Sequence, residues 1–266
     1  MDRGFVWFAQ NNSTTDYIKL SKLLADSIKK YNKHNQVCII TNEAVEYENF
    51  DKVILLKEDY SKEQEWKMNN ECQVFNLTPF KHTIKLEADM LFTANTDWWW
   101  NHLYQHNMVF SHHVRCYRDK TITRTPYRRL FERNNLPDVY NGLTYFRKSR
   151  QAQTFYNLCK DIMLNWSVVR DKFLVNCHDE QPTTDVVYAL ALKILDPLQN
   201  TCIKYDWFNF MHNKNAVNGL TQAFINDQYL YPMQIDEKVY VGGYKQSRIF
   251  HYYNKSLPEE LNARIF

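Results

Sequence analysis

The sequence predicts an α/β protein, with a mostly parallel sheet covered by helices on both faces. Two observations carry that prediction. Through the N-terminal half, short apolar runs alternate with amphipathic stretches in the order strand, helix, strand, strand, helix, strand. Three of the apolar runs also end in polar clusters: Gln10-Asn11-Asn12, Thr41-Asn42-Glu43 and Glu87-Ala88-Asp89. A parallel sheet would gather these clusters at its carboxyl edge, where such sheets bind ligands. The bulk composition agrees. The 266 residues are 44% hydrophobic and include only 5 Gly and 7 Pro, which suits one large domain with a full core.

The elements follow in order. Residues 5–10 (FVWFAQ) read as a buried first strand. In residues 17–31, Leu20, Leu23, Leu24 and Ile28 recur at helical spacing, with cations toward the end. VCIITNE (37–43) and KVILL (52–56) are the second and third strands. Residues 66–77 read as a helix closed by Pro79. TIKLEADMLF (83–92) contains the fourth strand, and YNGLTYFRKS (140–149) a further one. Residues 151–166 and 183–195 read as helices, as do 125–135, where Tyr127, Leu130 and Phe131 share a face. From Asp196 onward the chain is aromatic and irregular, ending in RIFHYYNKS (248–256). No internal repeat or linker divides it, so residues 1–266 are expected to form one domain.

Charge and cysteine content narrow the class. The net charge of +3 is concentrated: Arg115, Arg118, Lys120, Arg124, Arg128, Arg129 and Arg133 face only Asp119 and Glu132 within their segment. Such a segment, with Tyr117 and Tyr127 inside it, suits a polyanion held by phosphate pairing and stacking. It equally suits a solvated helix face with arginines outside. The six cysteines are scattered without a CxxC pair, which points to no zinc site or disulfide framework and to a reduced, cytoplasmic setting. No apolar run is long enough to span a bilayer, and no signal-peptide cleavage pattern follows the N-terminus. Aromatic residues make up 15% of the chain, with 18 Tyr, which fits a protein that handles sugars, nucleotides or bases and equally fits a large aromatic core.

The chemistry centres on Glu87 and Asp89. Carboxylates at i and i+2 point the same way on a strand, and a bend at its end lets both converge on one ion. A hard divalent cation, Mn²⁺ or Mg²⁺, prefers such oxygen ligands. It would bridge protein to a diphosphate and offset leaving-group charge. An isolated ExD is more often two surface acids at a strand end. The apolar run before this pair and the convergent clusters favour a site.

With these residues in place, the chain resembles the GT-A glycosyltransferases, especially the family 8-like group of glycogenin and bacterial lipopolysaccharide sugar transferases. FVWFAQNNSTTDYIKLSKLLADSI resembles that group's opening strand, polar turn and helix. NNECQVFNLTPFKHTIKLEADMLFTANTDWWW resembles the passage ending in its DxD motif. YNGLTYFRKS is similar to its Asn-x-Gly strand, and IFHYYNKS to its late histidine segment. The resemblance implies a GT-A fold, residues 1–100 being the nucleotide-sugar half and 101–266 the acceptor-side half with the late metal ligand. It implies sugar transfer from a nucleoside diphosphate sugar, with retention at the anomeric carbon. Asp89 then ligates the metal, Glu87 contacts ribose and metal, and His251 is the third ligand through a neutral ring nitrogen. Ala9, Gln10, Asn11 and Tyr17 surround base and ribose; Asn141, Gly142 and Asp185 lie near the transferred sugar. Two departures stand out. The first acid is Glu rather than Asp, and Glu71 occupies the position where the family has a Lys or Arg, so Lys67, one turn earlier, is the substitute contact for the diphosphate.

The sequence is compatible with more than one acceptor. The basic segment, through Arg115, Arg118, Lys120, Arg124, Arg128 and Arg129, fits DNA with a hydroxylated base, as phage-type enzymes modify in a host cytoplasm. Glycans, lipopolysaccharide and protein remain the alternatives. Two rivals differ in class. A nucleotidyltransferase would use the same sheet and acids but needs a Gly-rich loop where this chain has AQNNSTT. A binding protein could keep the fold without metal chemistry.

Overall fold

The computed structural model describes residues 2–62, 64–122, 128–196, 203–212, 232–235, 238–241, 243–252 and 255. In chain order the elements are β1 (Arg3–Phe8), α1 (Tyr17–Tyr31), β2 (Gln36–Thr41), β3 (Lys52–Leu55), a 3-10 helix at Met68–Gln73, α2 (Val74–Leu77), β4 (His82–Lys85) and β5 (Met90–Leu91). They continue with α3 (Trp99–Leu103), β6 (Met108–Ser111), α4 (Arg129–Arg133), β7 (Tyr140–Arg147), α5 (Arg150–Leu164), α6 (Trp166–Phe173) and α7 (Thr184–Leu195). The last strands are β8 (Ile203–Lys204), β9 (Phe210–His212), β10 (Pro232–Ile235), β11 (Lys238–Val241), β12 (Tyr244–Lys245) and β13 (Ile249–His251).

The main sheet has seven strands in the order β3-β2-β1-β4-β7-β6-β8. β1, β2, β3 and β4 run parallel, while β7 is antiparallel to both β4 and β6. The α/β class with a mostly parallel sheet is therefore what the chain adopts. Alternation along the strands gives each face its own core. Phe5, Trp7, Ile39 and Ile84 pack with Leu24 and Ile28 of α1 and with Trp99 and Trp100 of α3. Val6, Cys38, Ile40 and Phe146 pack on the other face with Phe75 of α2, Phe155 and Tyr156 of α5 and Tyr188 of α7. Burial of this kind is the main stabilising term, at about 25 cal/mol per Å² of apolar surface. No helix among the described residues is long and apolar enough to cross a membrane. Cys38, Cys72, Cys116, Cys159 and Cys177 are unpaired thiols; Cys202 lies outside the described residues.

Several elements differ from expectation for identifiable reasons. The helix expected over 66–77 is a 3-10 helix followed by the four-residue α2. Asn69 and Asn70 divert it. The Asn70 side chain accepts from Tyr60 N (2.8 Å) and donates to Gln10 Oε1 (2.8 Å) and Asp59 Oδ1 (2.6 Å), while Asn69 N donates to Ser61 Oγ (3.0 Å). The two residues tie down the loop before them instead of continuing a regular helix. The fourth strand stops at Lys85, so Glu87 and Asp89 lie in a turn between β4 and β5. The helix expected over 151–166 is α5, begun by Ser149, whose side chain accepts from Ala152 N, and it is followed by a separate α6. Of the helix expected over 125–135, residues 128–135 are described, and α4 covers Arg129–Arg133. The irregular region after Asp196 includes short strands, among them β13, which lies between β5 and β9 in a second small sheet.

Candidate active site

Because β1, β2 and β4 are parallel, their carboxyl ends share one edge. β7 runs antiparallel with Lys85 opposite Thr144, so its first residues reach the same edge. The turn after β4 hangs Glu87 and Asp89 over that edge. β13 closes it from a distant part of the chain: His251 pairs with Met90, and Tyr252 N donates to Asp89 O at 3.1 Å. As a result His251 Nε2 lies 3.1 Å from Asp89 Oδ2 and 3.3 Å from Glu87 Oε2. Each of the three offers a ligand atom, all within 4.8 Å of one another. Two carboxylate oxygens and one imidazole nitrogen converging on a point fit a divalent cation. The His212 ring stacks on His251 with centroids 4.7 Å apart and planes 12° off parallel, fixing its tilt.

The cluster forms one wall of a cavity of about 340 Å³, lined also by Phe8, Gln10, Tyr17, Trp66, Lys67, Glu71 and Lys255. That volume is within the range of small-molecule sites. Burial alone would raise the Asp89 pKa, but His251 and the Lys255 ammonium, which pairs with it, hold the carboxyl well below the usual range. The Tyr17 phenol is pushed up, first by burial and then by Asp89 and Glu87, so it remains a neutral hydroxyl.

The other expected site residues separate into walls and supports. Gln10 and Tyr17 line the cavity; Ala9 and Asn11 do not. Asn11 instead accepts from Ile18 N (3.2 Å) and donates to Glu43 (3.1 Å), bracing the start of α1. Ala9 is fully buried, with its N–H on Ile40 O. Asn141 donates its side-chain amide to Glu87 Oε1 (2.9 Å) and Glu71 Oε2 (3.2 Å), and its backbone N–H to Asp185 Oδ1 (2.7 Å). Asp185 thus stands behind the cavity and holds Asn141. Lys67 lines the cavity, yet its ammonium donates to the carbonyls of Ser61 (2.8 Å) and Lys62 (3.1 Å). Gly142 packs directly beneath Glu87. A Cβ there would lie 3.1 Å from Glu87 Oε2 and 3.0 Å from Met90 Cε. Gly142→Ala should therefore displace the Glu87 carboxylate and weaken divalent-ion binding at a stability cost of only about 1 kcal/mol. Calorimetric ion titration beside thermal unfolding reads both, and unchanged ion affinity would refute this account of the glycine.

Sequence reasoning misses Lys85 and Lys255. Lys85, in β4, is fully buried; its ammonium pairs with Glu71 and donates to Asn141 O at 3.2 Å. The signal that could reveal it is a lysine inside the apolar run TIKLEADML. Lys255 has no comparable signal. The basic segment is not one surface. Arg128 is buried, with its guanidinium 3.5 Å from the Tyr140 ring centroid, 4.0 Å from that of Phe131, and Nη2 donating to Val139 O (2.8 Å). Arg115 pairs with Asp119 (3.5 Å), whereas Arg118, Lys120 and Arg129 are exposed. Arg124 lies outside the described residues.

No protein-family model matches the chain, and no curated protein matches it. Among solved structures it is similar to the crystal structure of the glycosyltransferase GlyE in Streptococcus pneumoniae TIGR4, with 11% identity and a TM-score of 0.47 over 77% of this chain and 46% of that one. The chain thus spans less than half the length of that structure.

Proposed function

We propose that this protein is a divalent-metal-dependent glycosyltransferase of the GT-A type that moves a sugar from a nucleoside diphosphate to a hydroxyl acceptor. The observation that carries this reading is the convergence of Glu87, Asp89 and His251 on the wall of a ligand-sized cavity at the carboxyl edge of a parallel sheet. These three residues would hold Mn²⁺ or Mg²⁺. When bound, the ion supplies positive charge against the diphosphate leaving group. Asn141 holds the Glu87 carboxylate in line, and Asp185 fixes the Asn141 backbone. Lys255, inside the cavity beside Asp89, adds a cation where leaving-group charge develops. Tyr17 and the exposed ring of Trp66 offer stacking faces for base or sugar. No side chain among the described residues is assigned as a covalent nucleophile, in keeping with Asp185 acting as a support.

The direct test is a panel of nucleoside diphosphate sugars, each titrated with and without Mn²⁺, followed by assay for slow donor hydrolysis. At least one donor should bind only with the ion present. If none binds in Mn²⁺ or Mg²⁺, the proposal fails.

DNA is the acceptor proposal to test through Arg118, Lys120 and Arg129, three exposed members of the basic segment. Reversing all three to Glu should weaken duplex binding and lower the salt dependence of log K by about 0.9 for each phosphate that is no longer neutralised. A salt slope identical to that of the unmodified chain would remove DNA from consideration. Arg128 is unsuited to this test, because its replacement would empty a packed site between Tyr140 and Phe131.

A further inference from the structure

We propose that His112, His113 and Asp138 form a second divalent-cation site, independent of the cavity, whose ligand chemistry suits a Zn²⁺-class ion. His112 and His113 directly follow β6, and Asp138 lies two residues before β7. Ser111 pairs with Tyr140, so these two chain ends are neighbours. Consecutive residues in extended chain point to opposite sides. Here the backbone at His113 has φ of 47°, and the two imidazole rings lie side by side with centroids 4.2 Å apart. His113 therefore adopts a left-handed conformation, unusual for a residue with a side chain, and both rings serve one cluster. His112, His113 and Asp138 each offer a ligand atom, all within 4.8 Å of one another.

The two imidazoles are not taken up by close pairing with the neighbouring carboxylates. His113 Nε2 is 3.9 Å from Asp138 Oδ2, and the Asp206 carboxylate is 3.6 Å from His112 Nε2 and 3.9 Å from His113 Nδ1. These separations are too long for hydrogen bonds. Ligand atoms about 2.0–2.2 Å from one tetrahedral ion lie roughly 3.3–3.6 Å apart, so the His113–Asp138 pair needs only a small contraction. His112 Nε2 is buried and has no hydrogen-bond partner among the described residues. The carboxylate of Asp138 is already oriented: Oδ1 faces Arg128 Nη2 at 3.6 Å, and Oδ2, which accepts from His113 N at 3.4 Å, is turned to His113. Such support of a ligand from behind is a regular part of metal sites.

The donor set also differs from that of the cavity. Two imidazoles and one carboxylate are softer than two carboxylates and one imidazole, so the two sites would sort different ions. An ion here would join the end of β6 to the start of β7 and brace the segment that begins at Arg115.

The probe is Co²⁺, followed by visible absorption, then Zn²⁺ in competition. The full chain is used with the cavity cluster disabled by Asp89→Asn. That protein should still bind one Co²⁺ with the intense bands of low coordination, and Zn²⁺ should displace it. Adding His113→Asn, a residue that tolerates the left-handed backbone, should lower Zn²⁺ affinity by at least about tenfold. Asp138→Asn should do the same from the other strand end, and circular dichroism checks that each variant is folded. Should Asp138→Asn unfold through its contact with Arg128, His113→Asn alone decides. Absence of Co²⁺ binding in Asp89→Asn, or unchanged Zn²⁺ affinity in His113→Asn, overturns the proposal and leaves the reading of the cavity untouched.

Discussion

Asp89→Asn should abolish ion-dependent donor binding, lowering Mn²⁺ affinity by about 100-fold or more, since the loss of a direct ligand exceeds the 10–100-fold typical of supporting groups. The same change should alter acid stability in a defined direction. The ordinary Asp value is 3.8, and in the folded protein His251 and Lys255 hold Asp89 well below it despite burial. A carboxyl whose pKa is depressed by folding contributes stability that is complete above the unfolded value and is lost as pH falls through the folded one. Wild type should therefore carry an added stabilisation above about pH 4 that fades in stronger acid. In Asp89→Asn that part of the acid limb should be missing, leaving His251 and Lys255 without their shared anion. Urea unfolding at several pH values, beside ion titration, checks both. An Asn variant with unchanged Mn²⁺ affinity would remove Asp89 from the centre of the site.

Lys85→Met should destabilise the fold by about 3–5 kcal/mol, because it leaves the buried Glu71 carboxylate without its cation. Lys85 is fully buried and the Glu71 side chain is only 14% exposed. Burial pushes the Glu71 carboxyl up while Lys85 opposes the shift, so without Lys85 the acid should become protonated at higher pH. The double variant Lys85→Met/Glu71→Leu should recover most of the stability, since apolar groups can replace a buried pair at little cost. Donor binding should not return with it. Glu71 lines the cavity and holds Asn141, which in turn holds Glu87. Denaturant midpoints for the single and double variants, set against donor titration, separate the two roles. If the double variant regains both stability and binding, the pair is structural only.

The N-terminal strands are legible in the sequence because their signals are local. Residues 3–8, 36–41 and 52–55 are apolar runs bounded by polar turns, and parallel pairing follows from the helix between the first two. Asp89 and His251 stand out for different reasons, the first by its place after an apolar run and the second through the resemblance of its segment. Side-chain direction is what the sequence conceals. Asn11 and Asp185 have residue types suited to a ligand, yet one caps a helix and the other holds a backbone amide. Arg128 counts as surface charge in a sequence and is packed between aromatic rings in the fold. Lys85 escapes notice because a lysine is assigned to solvent by default, although its neighbours in the run are buried. The strands after Asp196 are two to four residues long, too short to show a period.

The placement of β13 between β5 and β9 has a consequence for how the protein acquires its function. The contact between His251 and Asp89 closes a loop of more than half the chain, and such closures are made late because their entropy must be offset by structure already formed. The seven-stranded sheet needs nothing beyond Lys204, so it can condense before His251 arrives. Glu87 and Asp89 would first meet as two acids on an open turn, with little hold on an ion. On that order maturation of the site would be a docking event, with β13 turning a folded chain into a competent one.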